Sequence, residues 1–192
     1  MTTTTTTKKK TITSKLQANP FQHEILDLAS KQRTSSNKVE VLKHYRNDAL
    51  VSLLIWNFDE SVVSILPEGP VPYSDNNELT SVGGNLTDLI ESKVKNTNLK
   101  NGEYVGTDEV MNKQHTSLRN EYTRFYIFLK GGNNNISQIR KETIFIELLK
   151  GLDPLEAELL CLVKDKKLTD KYKITLNNVK DAYPDIVWGG RS

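Results

Sequence analysis

Asp153-Pro154-Leu155-Glu156 constrains the fold of this chain more than any other four residues. An aspartate accepts from the unpaired N–H groups of a helix start. Proline fits the first helical position because its missing donor is not needed there. A glutamate two residues on is placed to reach back to the cap backbone as a capping box. A helix therefore begins here, and Leu159, Leu160, Leu162 and Val163 extend it. Its neighbours are punctuated as clearly. Gly131-Gly132-Asn133-Asn134-Asn135 supplies left-handed backbone and ends whatever precedes it. The spacing then predicts a helix over 136–150, with a stripe of Ile139, Thr143, Ile146 and Leu149, widened by Ile144, Phe145 and Leu148. Gly151 stops it. After a lysine-rich turn, Thr175 caps a last short helix carrying Leu176, Val179 and Tyr183, which Pro184 terminates.

Upstream, Asn19-Pro20 reads as the start of the first helix, with Phe21, Ile25, Leu28 and Ala29 on one face. Thr34 to Asn37 caps a second helix carrying Val39, Leu42 and Tyr45. Asn47 or Asp48 caps a third, running Ala49 to Trp56, which is apolar nearly all round and belongs at the centre of a core. The segment Leu66-Pro67-Glu68-Gly69-Pro70-Val71-Pro72-Tyr73 excludes helix and central strand and is expected to be extended. Residues 107–130 read as one long helix with Leu118, Tyr122, Phe125 and Leu129 in a stripe. The expectation is a mainly α fold: a compact helical domain of about six to seven helices over 19–192. It has a proline-rich extended segment, a long irregular loop or insertion at 74–106, and a disordered Thr- and Lys-rich tail over 1–18.

Charge and composition narrow the function classes. Apolar residues make up 36% of the 192, and the net charge is +2, too mild to imply nucleic acid or an anionic membrane by itself. The lone Cys161 cannot close an internal disulfide and points to a reducing compartment. No apolar run approaches the roughly 20 residues that cross a bilayer, so no membrane partner is expected. Met1, Thr2 to Thr7 and Lys8 to Lys10 lack the apolar stretch of a secretory signal.

No catalytic, cofactor-binding or metal-binding set is expected. His23, His44 and His115 lack metal spacing; His23-Glu24 opens like a zinc-protease motif but Asp27 stands where the second histidine is required. Cys161 sits among leucines as a small hydrophobe. Gly83-Gly84-Asn85 lacks the rest of a phosphate-binding loop, and Asp88, Glu91 and Lys93 show only chance nuclease-like spacing. Two binding surfaces remain. Lys164, Lys166, Lys167, Lys171 and Lys173, with Tyr172 among them, could contact phosphates and stack a base. Arg119, Arg124, Arg140 and Lys141 would extend that patch if the long helices pair. The tail Tyr183 to Ser192 offers Ile186, Trp188 and Arg191 as a candidate protein interface, because tryptophan is a frequent interface anchor.

Leu66 to Tyr73, Phe125-Tyr126-Ile127-Phe128-Leu129-Lys130-Gly131-Gly132, Ile144 to Leu149, Val163 to Leu168 and Ala182-Tyr183-Pro184-Asp185, taken in order, resemble a small uncharacterised protein family of T4-like marine and cyanobacterial myoviruses. The resemblance covers about 20–72 and 115–190. It implies a bacteriophage protein acting in the host cytoplasm during infection or in the virion, and it carries no catalytic residue. The functional expectation is a non-enzymatic accessory protein that binds a phage or host protein in virion assembly, replication or transcription. The alternative is a nucleic-acid-binding accessory using the Lys164–Lys173 patch.

Overall fold

The structure, a computed structural model, describes residues 16–71 and 116–190. It is mainly α-helical. The helices are α1 (Gln22–Ser30), α2 (Ser35–His44), α3 (Asp48–Phe58), α4 (Leu118–Glu121), α5 (Gln138–Gly151), α6 (Pro154–Lys164), α7 (Leu168–Lys171) and α8 (Leu176–Ala182), with a 3₁₀ helix over Tyr122–Phe128 after α4. The expected loop at 74–106 and the tail up to residue 15 lie outside the described residues. At the edge of that tail, the Leu16 N–H donates to the Tyr45 hydroxyl at 3.0 Å, so order begins before residue 19.

Local chemistry sets most boundaries. Thr34, Asn47, Ser137, Asp153 and Thr175 each accept a hydrogen bond from the first turn of the helix they precede. The first helix departs from expectation: Asn19 takes a left-handed φ of 58°, and the helix opens at Gln22, with the Glu24 carboxylate accepting from the Phe21 N–H at 2.8 Å.

α3 forms the centre. Ala49, Leu50, Leu53, Leu54 and Trp56 are buried, and α4, the 3₁₀ helix and α6 pack around them. α1 lies on α2, and α2 in turn on α8. Leu54, with no exposed surface, belongs to a continuous apolar cluster that includes Ile25, Leu26, Leu42, Phe128, Leu160 and Val179.

Two further elements depart from the sequence expectation. The predicted long helix is, over its described part, a four-residue α-turn followed by 3₁₀. At three residues per turn Tyr122, Phe125 and Phe128 eclipse, and Phe125 and Phe128 pack on Trp56 at 5.5 and 6.2 Å between ring centroids. The chain then extends: Leu129 bridges Ser64, with Lys130 N–H donating to Val63 and Ile65 N–H to Phe128. Gly132 folds back so closely that a Cβ would lie 1.8 Å from the Tyr126 carbonyl oxygen, which only glycine allows. In α5 the buried face is Lys141, Phe145, Leu148 and Leu149: Leu149 of the expected stripe and the flanking Phe145 and Leu148 are buried, but the stripe does not begin at Ile139, which is 78% exposed.

Candidate functional site

The last helix ends at Ala182, and the next residue, Tyr183, is fully buried and donates its hydroxyl to the Leu42 carbonyl at 2.7 Å. Burial pushes its phenol well above the ordinary range. From that root the chain does not trail away. It crosses from the start of α3 to its end as a strap over Asp185 to Gly189. At the first end the Asp185 carboxylate accepts a two-pronged bond from the Arg46 guanidinium, at 2.8 and 2.5 Å. That fork holds the Asp185 carboxyl down to about 2. The same guanidinium stands 5.0 Å from the centre of the Tyr183 ring. At the far end the Gly189 N–H meets both oxygens of Asp59, at 3.3 and 3.1 Å. Gly189 has a φ of +83°, a conformation that favours glycine.

Asp59 is the fixed point of that far end. It is 2% exposed and directly follows α3. Its carboxylate also accepts from the Ser61 N–H and hydroxyl, and its carbonyl accepts from Lys166 Nζ at 2.8 Å. Between the two anchors Ile186 and Trp188 pack half-buried on the core, while Val187 stands 75% exposed. The candidate interface named from sequence is thus partly turned inward, with the intervening valine as its outward face. Arg191 lies outside the described residues. Arg46, Asp59 and Asp185 complete this site and were missed, because their pairing spans more than a hundred residues of chain.

In the lysine-rich turn Lys164 and Tyr172 are buried, while Lys166, Lys167, Lys171 and Lys173 are exposed. Lys164 is 3% exposed; its ammonium donates to the Pro67 carbonyl at 2.7 Å, the Gly69 carbonyl at 3.3 Å and the Asp165 carboxylate. Asp165 in turn accepts from the Gly69 N–H. This pair fastens the proline-rich segment to the end of α6. Tyr172 is 3% exposed, its phenol raised by burial, and cannot stack on a base. Lys166 takes a left-handed φ of 57° in the turn that ends α6: its N–H donates to Val163 and that of Lys167 to Leu162. The Lys171 ammonium pairs with Glu158. The Lys173 carbonyl receives Lys38, and its N–H binds Ser30. Of the six residues of the patch, the ammonium groups of Lys167 and Lys173 carry no hydrogen bond or ion pair among the described residues. The proposed extension is dispersed as well: Arg119 donates to the Pro20 carbonyl, Arg124 pairs with Glu121, and Lys141 is buried. Arg140, like Lys166, Lys167, Lys171 and Lys173, is exposed.

A second polar assembly lies at the start of α6. Asp153 caps as expected, accepting from Leu155 N–H at 2.9 Å. Glu156 does not close a capping box. Fully buried, it accepts from the Gln22 N–H at 3.0 Å and the Leu118 N–H at 2.8 Å, the opening amides of α1 and α4. Burial raises its pKa against the opposing pull of those bonds. His23 stacks on Phe21, with Nδ1 4.0 Å from Asp153, and burial lowers its pKa. His44 is exposed, its ring edge-on to Tyr45, and His115 lies outside the described residues. Cys161 is half-buried by surface exposure, and desolvation pushes its thiol up to about 12. Among the described residues no three His, Cys, Asp or Glu side chains gather to hold a metal ion, and no helix is long and apolar enough to cross a membrane. Gly83, Gly84, Asp88, Glu91 and Lys93 lie outside the described residues.

A family described as DUF6433, a family of unknown function, matches this chain over residues 25–103 and 85–170. No curated protein and no solved structure matches it.

Proposed function

We propose, for a chain that belongs to this family of unknown function, a non-enzymatic accessory role exercised by binding another protein at its C-terminal strap. The observation that carries this reading is the exposure of Val187, 75%, on a segment anchored at both ends by Arg46 and Asp59. An apolar side chain held on a fixed backbone binds at low entropic cost, because little conformational freedom remains to be lost on association. The half-buried Trp188 beside it supplies the large ring that interfaces favour. The resemblance of the sequence segments to a family of T4-like myoviruses supports placing this role in a bacteriophage infection, with a phage or host protein as partner.

The test is co-purification from infected cells with tagged parent, Val187→Asp and Trp188→Ala chains. A defined complex that survives in the parent and is lost in Val187→Asp, with an unchanged melting temperature, is the expected result. A complex indifferent to both substitutions refutes the assignment to this surface. Mass spectrometry of purified virions separates a particle component from an intracellular factor.

A further inference from the structure

We infer that the seat of the strap is a binding site for an extended protein segment that carries a carboxylate and, three residues further along, a large aromatic ring. The strap is the resident occupant of that site, and the partner segment displaces it. This rests on the reading above that the partner is a protein, but it seats that partner beneath the strap, in exchange for it, rather than on the outer face of the closed strap.

The strap itself states what the seat recognises. The Arg46 guanidinium offers a planar fork matched to a carboxylate, and Asp185 fills it. Trp188, three residues on, packs on the apolar core. One residue further, the Asp59 carboxylate takes a main-chain N–H, a contact that reads no side chain. All three features belong to the α2–α3 half of the seat or to the core, and remain when the strap leaves. Release needs no helix to melt: α8 ends at Ala182, and Tyr183 stays rooted through its bond to Leu42. The ionic end is open to competition, with Arg46 44% and Asp185 56% exposed at the side chain. The buried end is not orphaned by release, because Asp59 retains the N–H and hydroxyl of Ser61. A tethered occupant acts at high effective concentration, so a free segment binds in proportion to the fraction of chains with the strap released.

The test uses the full chain and a fluorescent blocked peptide with the sequence of residues 184–190. Asp185→Ala with Gly189→Pro loosens both ends of the strap and leaves the seat intact. Fluorescence anisotropy should show the loosened chain binding the peptide at least tenfold tighter than the parent. Adding Arg46→Glu to the loosened chain, or replacing the aspartate or the tryptophan in the peptide, should remove that gain. Cooperative melting checks that each chain is folded; if the double variant does not melt cooperatively, Asp185→Asn alone takes its place. A folded, loosened chain that binds no tighter than the parent overturns the inference, as does binding indifferent to Arg46→Glu. A partner complex that is lost in Val187→Asp while the peptide fails to bind overturns displacement alone and leaves docking on the closed strap standing.

Discussion

Replacing Lys164 by methionine separates a structural lysine from a phosphate-binding one. The parent ammonium is enclosed: its side chain is 1% exposed, and its contacts are two main-chain carbonyls and the Asp165 carboxylate, itself 12% exposed. Methionine keeps the length of the stem and removes the charge. Asp165 is then a nearly buried anion without its cation, and the carbonyls of Pro67 and Gly69 lose their donor. Breaking a buried ion pair from one side costs about 3–5 kcal/mol, because the remaining charge stays desolvated. In a chain of this size each kcal/mol lowers the melting temperature by about 2–4 °C, so the expected fall is roughly 6–20 °C. Urea unfolding followed by far-ultraviolet circular dichroism measures the first figure, and a thermal scan the second. Adding Asp165→Asn should recover part of the loss, since it removes the stranded charge. A Lys164→Met chain as stable as the parent, but weaker on a phosphate matrix, would refute the burial reasoning and return this lysine to the surface.

Glu156→Ala should cost about 2–5 kcal/mol in urea unfolding, because two buried N–H groups, of Gln22 and Leu118, lose their acceptor; a loss below about 1 kcal/mol would mean that water serves them. Leu54→Ala should cost about 2–5 kcal/mol by the same assay, given that the side chain has no exposed surface at the centre of α3, and parent-like stability would displace α3 from the core. Stability should also depend on pH through two groups of opposite sign. Burial lowers His23 below 6.5, so its contribution is present above that value and is lost as pH falls through the folded pKa. Burial raises Glu156 above 4.5, so its contribution is full below that value and declines as pH rises through the folded pKa. His23→Phe should therefore flatten the acid side of the stability profile below pH 6.5, and an unchanged slope there would contradict the burial of the ring.

Four helix starts were legible because they are local. Asp153, Thr175, Asn47 and Thr34 each satisfy amides two or three residues away, and no distant part of the chain can change that. Helix type and face were less legible because two periods fit the same residues. Leu118, Tyr122, Phe125 and Leu129 fit an α-helix, yet Tyr122, Phe125 and Phe128 fit a three-residue turn equally well. The backbone that follows decides between them: Leu129 must extend to meet Ser64, and Gly132 must pass against Tyr126. In α5, a lysine on the buried face hid the true stripe. Lys141 can lay its methylene stem along the core, so a charged letter stands where an apolar one was sought.

The strap and the lysine turn were read from composition, and composition does not say what a charge touches. The period of α6 does. Counting by helical turns from Glu156 reaches Leu160, Val163 and Lys164, so both charges lie on the face that carries two core residues. A charge in that position either breaks the helix face or finds a partner inside. Each of these two finds main-chain partners far along the sequence: Glu156 at Gln22 and Leu118, Lys164 at Pro67 and Gly69. Asp59 does the same at the end of α3, gathering Gly189 and the Ser61 amide. All three sit within a turn of a helix end, where neighbouring segments arrive with unpaired amides and carbonyls. A charge that falls on an apolar stripe within one turn of a helix end is therefore better read as a tie to another segment than as a surface contact. Lys166, Lys167, Lys171 and Lys173, off the stripe of α6, are the lysines of that turn that remain exposed to solvent.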